Sequence, residues 1–187
     1  METVACRDRF NKKFRRNKDN LEWLEAIVLA VVAVALIFTF GVRMIRVDGE
    51  SMLPTLQDGQ RLMITSYPYT PQRGDIVVID AYTAYGDPLV KRVIGIEGDT
   101  IDIDFQNGIV YLNGEALEEP YTAEPTYLQE SVTFPVTVPE GCLFVMGDNR
   151  MNSTDSRSEK IGMIDTRYIL GKAVFRIYPF DRIGFIS

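Results

Sequence analysis

Ser51 stands within Val47-Asp48-Gly49-Glu50-Ser51-Met52-Leu53-Pro54-Thr55-Leu56, where Asp-Gly and the following Pro mark a bent, non-helical segment. A serine on a bend can be a nucleophile. It can equally be a turn residue, because Ser, Gly, Asp and Pro dominate turns for conformational reasons alone. A serine hydroxyl attacks only when a neighbouring group accepts its proton. The chain contains no histidine, which excludes Ser-His-Asp and Cys-His mechanisms and the usual imidazole ligands of zinc. Cys6 and Cys142 lie on opposite sides of a hydrophobic run, and neither has a second Cys at metal-ligand or redox spacing. A metal site of carboxylates alone is still open but nothing in the sequence points to one, so neither a metal nor a cofactor is expected.

With histidine absent, Lys, Asp, Glu and Tyr remain as bases. A lysine serves only where burial lowers its pKa far below about 10.4, since desolvation disfavours the ammonium form. Arginine stays protonated and cannot serve. Beyond the hydrophobic run the lysines are Lys91, Lys160 and Lys172. Lys160 lies in polar Ser158-Glu159-Lys160, where an amine stays hydrated, and Lys172 follows a glycine near a strand start. Lys91 differs: in a strand, Leu89, Lys91 and Val93 share one face, and Val90, Arg92 and Ile94 the other. An edge lysine that guards a strand against aggregation is the competing reading. Elimination leaves Ser51 and Lys91 as the candidate dyad.

The elements that position this pair follow from charge and hydropathy. Residues 1–25 carry seven Lys/Arg against five Asp/Glu, whereas the rest carries 13 against 21. Basic on one side of an apolar run and acidic on the other is a topology signal, and it gives no reason to expect a nucleic-acid partner. Residues 26–42 contain no charge; as a helix they span roughly 25 Å, near the lower limit for crossing a bilayer, with Leu24 or Met44-Ile45 able to extend them. Trp23 is placed for the interfacial belt, and the preceding Lys/Arg put the N-terminus in the cytoplasm. A buried core helix and a cleaved signal peptide are the rivals; the first lacks a polar face anywhere in 17 residues, and against the second the run is long for an h-region and no Ala-x-Ala follows. The expected organisation is a basic cytoplasmic tail (1–25), a transmembrane anchor (26–42) and an extracytoplasmic catalytic domain (43–187). That domain is predicted to be mainly β, antiparallel and partly barrel-like. Strand candidates are 61–65, 75–79, 89–96, 100–105, 109–112, 115–117, 142–146 and 171–177, with Asn107-Gly108 and Asn113-Gly114 as hairpin turns. The Pro- and Thr-rich stretch 121–139 reads as an excursion or insertion.

Four ordered blocks carry a resemblance: Gly49–Leu56, Arg73-Gly74-Asp75-Ile76-Val77, Lys91–Asp99 and Gly147–Arg157. Together they resemble the bacterial type I signal peptidases, membrane-anchored Ser-Lys endopeptidases, from the apolar run almost to the C-terminus. The resemblance implies Ser51 as nucleophile, with its backbone N–H in the oxyanion hole, and Lys91 as general base. It implies Ser153 as the hydroxyl that orients the lysine amine. Asp155 and Arg157 would brace the loop, Asp148 would pair with an arginine such as Arg92, and Met52 would border the substrate. Some family members place a serine hydroxyl two residues before the nucleophile, where this chain has Gly49; Met151 replaces a commonly acidic position. The implied substrates are secretory preproteins cleaved after small residues (Ala-x-Ala) at the outer membrane face. Ser51 follows the apolar run by nine residues, about 30 Å fully extended, so Met52 and Leu53 are expected on an apolar rim near lipid. A self-cleaving repressor and a catalytically silent, membrane-tethered β module are the competing readings.

Overall fold

The computed structural model describes residues 22–35, 42–65, 69–81 and 86–186. The chain divides into two units, Met1–Gly41 and Val42–Ser187. In the first, residues 22–35 are helical with exposed side chains. The basic tail up to residue 21, Cys6 included, and residues 36–41 of the expected anchor lie outside the described residues. Among the described residues no helix is long and apolar enough to cross a membrane. Val42, expected as the last residue of the anchor, begins a strand instead, and Met44 and Ile45 belong to it too. Any helical extension of the apolar run therefore goes back towards Leu24.

The second unit is mainly antiparallel β with a half-barrel-like main sheet. Its strands are β1 (Val42–Arg46), β2 (Arg61–Thr65), β3 (Ile76–Ile79), β4 (Leu89–Ile96), β5 (Thr100–Asp104), β6 (Ile109–Leu112), β7 (Glu115–Ala116), β8 (Val136–Thr137), β9 (Cys142–Met146), β10 (Ile164–Asp165), β11 (Ile169–Tyr178) and β12 (Gly184–Phe185). The main sheet runs β1-β2-β11-β3-β4-β9-β10, with β12 on β11; the smaller sheet runs β7-β6-β5-β8. The hairpin turn at Asn113-Gly114 has positive φ at both residues, 55° and 88°, the geometry that Asn-Gly adopts at least cost.

Three apolar clusters hold the unit together. Val47, Met52, Leu56, Leu62, Ile64, Ile76, Val78 and Ala173 form the first, which roots the Ser51 turn. Leu89 and Val93, the expected neighbours of Lys91 on its face of β4, pack together with Val77, Leu143 and Val145 in the second. The third lies against the small sheet around Ile94, Ile101 and Phe144. Register places Lys91 opposite Val77 and Arg92 opposite Met146. The last strand in sequence order of any length, β11, threads between β2 and β3, so the sheet closes only once the C-terminal segment is in place.

Candidate active site

Ser51 begins a compact turn between β1 and β2. Leu53 N donates to Glu50 O at 3.1 Å, Leu56 N to Met52 O at 2.8 Å, and Val47 N to Gln60 O at 2.8 Å across the neck of the loop. Met52 and Leu56 are 1% and 0% exposed, and burying such side chains contributes about 1.5–3 kcal/mol each. The serine is thus held by the apolar residues that flank it. This corrects the expectation for Met52, which lies in the core rather than on an exposed apolar rim; its alternation with Ser51 turns it inward.

Lys91 projects from the middle of β4, and its Nζ donates to Ser51 Oγ at 2.8 Å. With the amine neutral, the same line carries the hydroxyl proton to the nitrogen lone pair. Lys91 is 2% exposed. Burial pushes its pKa down from 10.5 to about 8; Asp155, Glu130 and Asp148 oppose the fall, and Arg157 adds to it. The rival lysines are otherwise engaged: Lys172 pairs with Asp75 at 2.5 Å, and Lys160 is exposed.

Behind the lysine, Asp155 gathers donors from its own loop. Arg157 Nε and Nη2 donate to its two oxygens at 2.8 and 2.9 Å, Gly147 N at 3.0 Å and Ser153 Oγ at 2.8 Å. Burial by itself would raise the Asp155 pKa, but the Arg157 hydrogen bonds and charge outweigh it and hold the carboxylate below its ordinary range. Ser153 was expected to bond the lysine amine. Its proton goes instead to Asp155, and no Ser153–Lys91 hydrogen bond occurs among the described residues; an ionised carboxylate two residues away is the stronger acceptor. Gly147 is where this loop touches the nucleophile turn: a Cβ there would collide with Ser153 Oγ and with Ser51 O.

Arg92, on the opposite face of β4, donates through Nε and Nη2 to Asp148 at 2.8 Å each. Thr55 Oγ1 donates to the same carboxylate at 2.5 Å, so the 147–157 loop, β4 and the Ser51 turn share one buried ion pair. Met151 is 42% exposed and points away from this core. The Arg73-Gly74-Asp75 triplet is a structural turn: Asp75 accepts from Tyr69 and Lys172, and Gly74 O accepts from Arg92 Nη1 at 2.8 Å.

The sequence reading left 121–139 without a role, yet the chain from Glu119 to Val132 straps the back of the site. Glu119 binds Arg150 through both its oxygens, and Thr126 Oγ1 accepts from Arg150 at 2.7 Å. The Tyr121 ring covers Arg92, centroid to Cζ 4.0 Å. Leu128 O accepts from Arg157 Nη1 at 3.1 Å, and Val132 N donates to Arg157 O at 2.9 Å. One segment therefore caps three buried arginines. Its sequence signal was Glu119 and Tyr121 ahead of an otherwise featureless run, too little to pair with residues 30 positions away.

Ser51 and Lys91 lie where two hollows meet. One is an open cleft of about 570 Å³ bordered by Arg46, Asp48, Glu50, Asp87, Asn152 and Ser153. The other is a pocket of about 320 Å³ with apolar walls from Ile45, Met52, Val78, Val90 and Leu170. Among the described residues no cluster of His, Cys, Asp or Glu could hold a metal ion. Cys142 is a half-buried free thiol on β9, and its register partner is Asp165 on β10.

The family model described as signal peptidase, peptidase S26, matches residues 20–178. A signal peptidase I of Bacillus licheniformis is 42% identical over 183 residues, covering 89% of this chain and 94% of that protein. Signal peptidase I S of Bacillus subtilis (strain 168) is 40% identical over 181 residues, covering 90% of this chain and 94% of that protein. The crystal structure of a signal peptidase I from Enterococcus faecalis V583 is 30% identical, with a TM-score of 0.45 over 56% of this chain and 97% of that one. A family match over most of the chain, with relatives of this identity over nearly its whole length, means that the chain belongs to the signal peptidase family, peptidase S26, and is a serine hydrolase.

Proposed function

We propose that the protein removes N-terminal signal peptides from exported preproteins by a Ser51–Lys91 dyad. The observation that carries this reading is the buried Lys91 amine, 2.8 Å from Ser51 Oγ at the junction of two hollows. Neutral Lys91 takes the Ser51 proton as Oγ attacks the scissile carbonyl. The resulting ammonium then protonates the leaving amine, and a water activated by the same lysine hydrolyses the acyl-enzyme. A pKa near 8 suits both directions of transfer at neutral to mildly alkaline pH. The Ser51 N–H serves as an oxyanion donor. Gly49 brings no hydroxyl, and its own N–H donates to Asp58 Oδ1 at 3.1 Å. Ser153, Asp155 and Arg157 act as positioning residues that hold the ground behind Lys91, and Arg92–Asp148 locks the loop that carries them.

The apolar pocket supports cleavage after small residues. Its walls beside Ser51, Met52 among them, are apolar and would face an uncharged side chain such as alanine's methyl. Substrates are secretory preproteins, met at the outer face of the membrane. That placement rests on the charge-free run 26–42, with the anchor drawn from residues up to 41 and the N-terminus cytoplasmic. Lipid is then a constant neighbour of the catalytic unit, and neither nucleic acid nor metal takes part.

The test uses the full chain in detergent with a preprotein whose leader ends in Ala-x-Ala. Wild type should release a mature product that begins after the second Ala. Ser51→Ala and Lys91→Ala should not; cleavage that survives in both variants refutes the dyad. Protease protection in sealed vesicles reads the topology: a basic tail accessible from the same side as residues 43–187 would overturn the anchor.

A further inference from the structure

We infer that Asn149 is the positioning residue that aims the oxyanion-binding N–H of Ser51. This rests on the proposed Ser51–Lys91 mechanism and deepens it. The N–H of Ser51 and the carbonyl of Glu50 belong to one peptide unit, and in a trans peptide they point in opposite directions. Glu50–Ser51 is not among the cis bonds of the described chain. Whatever grips the Glu50 oxygen therefore sets the direction of the Ser51 N–H.

Two donors grip it. Leu53 N, from within the turn, lies at 3.1 Å. Asn149 Nδ2, from the far loop, also lies at 3.1 Å. The same asparagine takes hold of the next peptide as well, since its backbone N donates to Ser51 O at 3.0 Å. Asn149 thus bonds the carbonyls on both sides of the nucleophile, one through its side chain and one through its backbone. Two hydrogen bonds to consecutive carbonyls leave the Ser51 backbone little freedom to rotate. A carbonyl that accepts two bonds also polarises its own peptide, which makes the opposite N–H a better donor.

The placement of Asn149 is itself fixed from behind. Its neighbour Asp148 is fully buried against Arg92 and Thr55. Arg150, on the other side, is 1% exposed and bonded to Gly147 O and Glu119. Asn149 is the half-buried residue between two buried charges, so its amide is presented to the Ser51 turn by anchors that do not themselves touch the nucleophile. Asparagine suits the position because its side chain reaches one peptide while its backbone serves the next. Aspartate of the same shape would turn an acceptor towards the Glu50 oxygen.

The full chain in detergent, assayed on the Ala-x-Ala preprotein, tests this with Asn149→Ala and Asn149→Asp beside Ser51→Ala and Lys91→Ala. Deleting a direct oxyanion donor costs about 10²–10³ in rate, so misaiming one should lower kcat by roughly 10- to 100-fold. KM should stay within about twofold, since the bound substrate's ground state does not use the oxyanion position. In Asn149→Ala the alkaline rise of kcat/KM should keep its midpoint, because that variant changes no charge and does not touch Lys91; the new carboxylate of Asn149→Asp, next to Asp148, acts on Lys91 only towards higher pH. The aspartate variant, which retains the backbone bond and the shape, should lose at least as much as alanine. Unchanged kcat in both variants overturns the inference. So does a loss confined to KM, a shifted midpoint in Asn149→Ala, or a rate loss that vanishes when the melting temperature is restored by substrate peptide. Full activity of Ser51→Ala or Lys91→Ala would instead overturn the dyad beneath it, and the two failures are read from different variants.

Discussion

Replacing Lys91 by Met tests the central electrostatic claim without any substrate. The lysine has its pKa pushed from 10.5 to about 8 by burial. At about 1.36 kcal/mol per pH unit, the folded state carries a cost of about 3 kcal/mol while the amine is charged. Below pH 8 the amine is protonated in the folded and unfolded states alike, so the whole cost is present. Between pH 8 and 10.5 the folded chain has released a proton that the unfolded chain still holds. Stability therefore rises with pH through this window, and the cost has vanished near pH 10.5. Methionine fills similar space with no charge. At pH 7 Lys91→Met should be more stable than wild type by up to about 3 kcal/mol, reduced by about 1 kcal/mol for the lost bond to Ser51. By pH 10.5 the advantage should be gone. Tyr69 and Tyr121, both raised chiefly by burial, favour the folded state less as pH climbs past 10, but they act equally on both proteins and cancel in the difference. Urea unfolding of the full chain in detergent reads the effect. Far-UV circular dichroism is the right probe, since the single tryptophan, Trp23, lies outside the β unit. A stability difference that stays constant from pH 7 to 10.5 would mean that Lys91 keeps its ordinary proton affinity, and the general-base assignment would fall with it. The wild-type enzyme should report the same group kinetically, with kcat/KM climbing about tenfold per pH unit and levelling near pH 8.

Gly147→Ala places a methyl group against Ser153 Oγ and Ser51 O; the overpacking should cost about 1–3 kcal/mol and activity should fall more steeply than stability, as a melting curve beside a rate measurement would show. Glu130 is one of the carboxylates that face Lys91, so Glu130→Gln should move the midpoint of the pH–rate profile to lower pH and leave maximal kcat within about threefold. Arg92→Ala strips Asp148 of its bidentate partner while Asp148 stays fully buried, and should destabilise by about 3–5 kcal/mol; adding Asp148→Asn should return part of that loss in the same denaturation assay.

Much of the site was readable from residue types because its chemistry leaves few options. Without histidine, Lys, Asp, Glu and Tyr remain as candidate bases, and two-residue alternation along 89–93 put Lys91 among apolar neighbours. The strands at 109–112 and 142–146 begin and end directly at Gly or Asn, and those at 61–65 and 89–96 lie within two or three residues of Gly or Pro, since those boundaries are local backbone preferences. The edge strand β1 was hidden because Val42-Arg43-Met44-Ile45 continues an apolar run, and helix and strand share that pattern until a partner strand is present. β10 and β12 have only two residues each, and β8 has two within a proline-rich stretch; such strands exist only through their neighbours. Met52 was assigned the wrong exposure because burial depends on which cluster closes over it, and the side chains that do so come from β2, β3 and β11.

The amino-acid sequence by itself determined the family, the candidate pair Ser51 and Lys91 that the fold brings to 2.8 Å, and the local β character, because these depend on side-chain type and short-range spacing. The tertiary structure alone decided that Ser153 serves Asp155 rather than the amine, that residues 119–132 cap three buried arginines, and that Asn149 grips the two peptides around Ser51. Those relations join positions from 24 to 99 residues apart outside the 147–157 loop. Within that loop they depend on which acceptor is ionised and buried. Hydrogen-bond partners are chosen by distance and angle after the sheet has closed, and no spacing along the chain encodes that choice.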